Sequence, residues 1–124
     1  MSIIKRATLT LSAAAVTVGL LAAPALAAEP WGKWKRPGGD IAKVWKCGGG
    51  MCGSIISGKK KGFVMFKGIK KQGKAWKGNM KHPNMPSFMT FNGTVTMLGA
   101  NKLKVQGCAI GNSMCDAEVW ARVK

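Results

Sequence analysis

The sequence predicts an all-β fold, a small antiparallel sheet of about eight short strands that closes on itself or folds as a sandwich. Three observations predict it. Apolar and polar residues alternate with the two-residue period of a half-buried strand along most of the chain after Pro30, and no stretch carries a helical period. Clusters of Gly, Pro, Asn and Asp separate these segments at hairpin spacing. Four cysteines fall in two close pairs, Cys47/Cys52 and Cys108/Cys115, each bracketing a short loop.

The strands follow in order. Trp31–Arg36 opens the sheet and ends at the turn Pro37-Gly38-Gly39-Asp40. Ile41–Cys47 and Cys52–Ser57 flank Gly48-Gly49-Gly50. Phe63–Ile69 follows the Gly58–Gly62 connection, and Ala75–Met80 follows Lys71-Gln72-Gly73-Lys74. After His82–Pro86 comes the clearest alternation, in which Met89, Phe91, Val95 and Met97 face a core while Thr90, Asn92, Thr94 and Thr96 face solvent. Leu103 and Val105 alternate with Lys102, Lys104 and Gln106. In the last strand Ala117, Val119, Ala121 and Val123 form the expected inner face, which puts Asp116, Glu118, Trp120 and Arg122 on the polar one. Short connections throughout favour a meander over a Greek key. An outer-membrane barrel is disfavoured, because the strands fall short of the roughly 9–11 residues needed and lysines recur on both faces.

Residues 1–27 read as a cleaved signal peptide. Lys5 and Arg6 form the positive region, Ala7 to Ala23 is apolar apart from Ser and Thr, and Ala25-Leu26-Ala27 fits signal peptidase. Residues 28–124 are then a single exported domain, periplasmic or secreted, without a transmembrane segment. In that oxidising setting the cysteines read as two disulfides. Three connectivities are formally open, and local pairing, Cys47 with Cys52 and Cys108 with Cys115, is the simplest. Zinc is the competing use, but neither pair has the spacing of a zinc knuckle.

The charge is extreme: 20 Lys and Arg stand against 4 Asp and Glu. Without Lys5 and Arg6 the net charge is still about +14. Such a field attracts anionic lipid, lipopolysaccharide or cell-wall polymers, and in an exported chain nucleic acid is the less fitting partner. Two clusters, Lys59-Lys60-Lys61 and the set with Lys70, Lys71 and Lys74, are the candidate anion-binding residues. The plain alternative is that these lysines solvate outer strand faces and block edge-to-edge aggregation.

Taken in succession, Gly32-Lys33-Trp34, the Lys46-Cys47 to Cys52-Gly53-Ser54-Ile55 hairpin, Trp76-Lys77-Gly78, Lys102 to Cys108 and Trp120-Ala121-Arg122-Val123 resemble the bacterial exported family called domain of unknown function 2147. The resemblance spans nearly all of the chain after the signal segment. It implies a calycin, a lipocalin-like up-and-down barrel, in which a Gly-x-Trp on the first strand lays its indole across the closed end and a basic residue near the last strand packs over it. Carried to this sequence, those barrel-closing residues are Gly32, Trp34 and Arg122. The chain departs from the family's pattern where Gly58-Lys59-Lys60-Lys61-Gly62 replaces a longer, Asp- and Pro-rich excursion. A lid built on that excursion is therefore not expected here.

The residues do not compose an enzyme. The single His is His82, and no paired acids, Ser-His-Asp arrangement or Gly-rich phosphate loop occurs. No cofactor is expected. The expected function is a non-catalytic binding barrel, for an anionic envelope component or for a small amphipathic ligand. Bulk favours the surface, since five Trp, four Phe and the methionines compete to fill the interior. A copper carrier is the alternative: Met80, His82, Met85 and Met89 lie close together, and thioether and imidazole suit Cu(I). Met89 shares the apolar face of its strand, where core filling is the simpler role.

Overall fold

The computed structural model describes residues 29–109 and 111–124; residues 1–27, read from the sequence as a signal peptide, lie outside the described residues. Among these, eight antiparallel strands form a closed barrel in sequence order: β1 (Gly32–Lys35), β2 (Ile41–Cys47), β3 (Gly50–Ile55), β4 (Val64–Gln72), β5 (Ala75–Met80), β6 (Phe91–Gly99), β7 (Lys102–Ala109) and β8 (Met114–Arg122). β8 returns to β1 through Trp34 opposite Arg122 and Lys35 opposite Ala121. Closure removes both sheet edges.

Several boundaries differ from the alternation. β3 begins at Gly50, because Gly48 and Gly49, at φ 53° and 81°, make a two-residue turn of the kind that matches strand twist. β6 begins at Phe91 rather than Met89, which is still held in a turn by its N–H to the Pro86 carbonyl at 3.0 Å. In β4 Met65 and Phe66 are adjacent and both buried, because the register shifts against β3 between Gly53 and Ser54. A bulge gives two neighbours the same face. The largest departure is β8, whose inward phase is the opposite of the expected one. Trp120 is fully buried and Val119 is half exposed. Partners inside the barrel for Glu118, Trp120 and Arg122 outweigh the transfer of small apolar groups from water.

Both disulfides form locally, Cys47–Cys52 and Cys108–Cys115. Each closes a small loop and contributes about 2 kcal/mol through the unfolded state.

The core runs through the barrel axis, with Trp34, Val44, Met51, Ile55, Phe66, Ile69, Val95, Leu103 and Trp120 buried. Bulky residues lean over glycines on neighbouring strands. A Cβ on Gly53 would lie 2.3 Å from the Phe66 ring, one on Gly78 2.6 Å from Ile69, and one on Gly93 2.6 Å from Met80. Gly78, Gly93 and Gly107 stand directly opposite one another across β5, β6 and β7. Gly107 differs from the other two: a Cβ there would make only ordinary contact with Phe91, at 3.5 Å. Space is left inside the barrel at that level.

Candidate binding site at the open end of the barrel

The meander sorts the connections to two ends. The β2–β3, β4–β5 and β6–β7 turns share one end with the start of β1 and the finish of β8. The β1–β2, β3–β4, β5–β6 and β7–β8 connections share the other.

The first end is shut. Trp34 is fully buried there and donates its indole N–H to the Pro30 carbonyl at 2.8 Å. The Arg122 guanidinium lies 4.4 Å from the Trp34 ring and donates to the carbonyls of Glu29, Trp31 and Ala100 at 2.5, 3.0 and 2.8 Å. Guanidinium stacking on indole combines cation–π attraction with a flat apolar lid. Gly32 sits at φ 127°, a conformation that other residues rarely adopt, and a Cβ there would come within 3.4 Å of the Arg122 side chain.

A second pair of the same kind crosses the seam toward the open end, and the alternation gave no sign of it. Arg36, 8% exposed, lies 5.9 Å from the Trp120 ring. Its charge is met by Asp40 at 2.6 Å and Glu118 at 3.0 Å. The same Glu118 oxygen accepts the Trp120 indole N–H at 2.6 Å. The signal was present as a repeat: Trp34-Lys35-Arg36 and Trp120-Ala121-Arg122 are the same Trp-x-Arg on two antiparallel strands. Run against each other, they bring each Trp to the other's Arg.

Beyond this second pair the open end holds a cavity of about 170 Å³. Met65, Met80, Met85, Phe91 and Val105 give it an apolar wall, Gly107 an unfilled one, and Lys81, His82, Asp116 and Glu118 its polar groups. Most of these polar groups have partners. Glu118 is held by Arg36 and Trp120, and Lys81 donates to the Ser87 carbonyl and the Thr90 hydroxyl. His82 Nδ1 accepts the Asn84 N–H at 3.0 Å, which makes Nε2–H the donor of the neutral ring. A wider groove of about 650 Å³ adjoins the cavity and runs between residues 36–40, 57–60 and 82–84.

The sequence candidates distribute unevenly over this geometry. Met80, His82 and Met85 line the cavity, joined by Met65; Met89 does not. Among the described residues no three His, Cys, Asp or Glu side chains are grouped to hold a metal ion. Lys59, Lys60 and Lys61 sit at the open end, in the β3–β4 connection, whereas Lys70, Lys71 and Lys74 sit at the closed end. The two clusters do not form one surface. Lys70 donates to the Gly48 carbonyl at 3.2 Å and Lys71 lies 5.2 Å from the Trp76 ring, so both have local roles.

Comparison with known proteins agrees with this architecture. A solved structure described as "Protein HP1028 from the human pathogen Helicobacter pylori belongs to the lipocalin family" is similar over 77% of this chain and 84% of that one, with a TM-score of 0.65 and 14% identity. At that identity the similarity concerns the fold alone. A search of curated proteins finds no match. The family model described as "Uncharacterized protein conserved in bacteria (DUF2147)" matches residues 32–122, so that both Trp-x-Arg strands and both disulfides fall within it, and the chain belongs to that family.

Proposed function

We propose that the protein is a non-catalytic binding barrel that takes the apolar portion of a small amphipathic ligand into the open-end cavity. The observation that carries this reading is the void beside Gly107, at a level where Ile69 and Met80 cover the neighbouring glycines. An apolar space of about 150 Å³ is large enough for a benzene-sized group, and this one opens to solvent on its polar side. The cavity is therefore matched to one ring or a short acyl segment, with the polar remainder of the ligand in the adjoining groove. The methionine-rich wall suits ligands of varied shape, since thioether side chains repack easily. The interior is filled only in part because some of the bulk expected there, Trp45, Met85, Phe88 and Met114, is on the surface.

The test uses N-phenyl-1-naphthylamine, whose fluorescence rises in apolar surroundings. The protein is expected to enhance it saturably, Gly107→Ala to weaken binding and Gly107→Leu, which grows into the void, to abolish it. Equal binding by wild type and Gly107→Leu would overturn the reading.

One observation keeps Cu(I) as a second reading: Met65, which the sequence did not single out, joins Met80, His82 and Met85 around the same cavity. The Nδ1 hydrogen bond of His82 works against it, because a metal bound through Nε2 needs the proton on Nδ1. An equimolar Cu(I) titration against bathocuproine decides: failure to compete removes copper.

A further inference from the structure

The most exposed apolar side chains of the barrel lie at its open end. Phe88 is 83% exposed and Met85 41%, both in the β5–β6 connection; Met114, 63% exposed, starts β8, and Val64, 47% exposed, starts β4. Leu98, Trp45 and Val123 are exposed toward the closed end and Val119 on the wall, but none of them as far as Phe88 or Met114. Phe88 is not exposed through slackness of its loop. Lys81 ties the base of the loop to Ser87 and Thr90, the Met85 N–H donates to the His82 carbonyl at 3.1 Å, and the Met89 N–H donates to that of Pro86 at 3.0 Å. Two successive turns thus hold the Phe88 ring away from the barrel. A large apolar group presented in this way has a partner outside the molecule as its simplest purpose.

The charge beside it specifies that partner. Lys59, Lys60 and Lys61 are all exposed, and Lys59 and Lys60 face His82, Pro83 and Asn84 across the groove. Three acids lie at this end, Asp40, Asp116 and Glu118, and Arg36 offsets one charge of the Asp40–Glu118 pair; with Lys59, Lys60, Lys61 and Lys81 the end still carries more cations than anions. Apolar side chains flanked by lysines fit the interface of an anionic bilayer, where rings and thioethers enter the acyl boundary and ammonium groups meet phosphates. A basic outer wall adds attraction at a distance but no orientation.

We infer that the open end of the barrel docks on an anionic lipid bilayer, with Phe88, Met85 and Met114 inserted and Lys59, Lys60 and Lys61 on the headgroups. This rests on the proposed cavity function for its purpose: docking in this pose sets the mouth against the membrane, so an amphipathic ligand passes between bilayer and barrel without crossing water.

Flotation with phosphatidylcholine vesicles containing about one-third phosphatidylglycerol tests it, with phosphatidylcholine alone as the control. Wild type floats with the anionic vesicles only. Phe88→Ser combined with Met114→Ser lowers the partition coefficient at least about tenfold, and Lys59→Ser, Lys60→Ser and Lys61→Ser together lower it about a hundredfold. Lys70→Ser, Lys71→Ser and Lys74→Ser together remove equal charge from the closed end and have the smaller effect. Gly107→Leu floats like wild type while losing the naphthylamine probe, which separates docking from cavity binding. The inference is overturned if wild type stays unbound, if the Phe88/Met114 variant floats unchanged, or if the closed-end substitutions have the larger effect.

Discussion

The two Trp–Arg pairs across the β1–β8 seam share a geometry and differ in how the cation is compensated. Arg122 at the closed end gives its hydrogens to three backbone carbonyls and its face to Trp34. Arg36 toward the open end is more enclosed and is held by two carboxylates. Carbonyls carry partial charge and leave the Arg122 site net positive, whereas two carboxylates outweigh the single charge of Arg36 where a cavity begins. One pair is a lid and the other a floor. The difference teaches that burial of a guanidinium, more than its stacking, decides whether full counter-charges are needed.

Six variants test this contrast, each by urea unfolding against wild type. Trp34→Ala and Trp120→Ala remove fully buried indoles and each costs about 3–5 kcal/mol; a loss below about 1 kcal/mol at either position contradicts its place in the core. Arg36→Ala leaves Asp40 and Glu118 close together without their cation and costs about 3 kcal/mol. Adding Asp40→Asn and Glu118→Gln to that variant recovers part of the loss; a purely additive result would show that the carboxylates do not compensate Arg36. Arg122→Ala costs less, about 2 kcal/mol, since the carbonyls it leaves are near water at the barrel end. Arg122→Lys, which keeps the charge but loses the planar fork, costs about 1 kcal/mol.

What the sequence made legible was what neighbours in the chain decide. Hairpin turns, short connections and the two-residue period give the meander, and close cysteine spacing gives both disulfides. Leu103 and Val105 point inward as the alternation requires. β8 broke the rule because its inner positions are set by residues 82 and 91 positions away in the chain, Arg36 for Glu118 and Trp31 at the closed end for Arg122. No local hydrophobic count registers such partners. The cavity was hidden for a similar reason. A glycine in a strand reads as a weak position, and only the register shows that Gly78 and Gly93 are covered while Gly107 is open. The soft-ligand residues were visible as a cluster, but the turn at Pro86 that takes Met89 away from the cavity was not.

The seam also bears on when the cylinder exists at all. Every other seam joins strands that are neighbours in the chain, but β1 waits for β8 before Trp34 can meet Arg122. A growing polypeptide therefore carries an open, unprotected side of its first strand until β8 is delivered. Loss of Trp120, Ala121 and Arg122 would leave β1 unpaired on the side away from β2 and make it a template for strand-to-strand association.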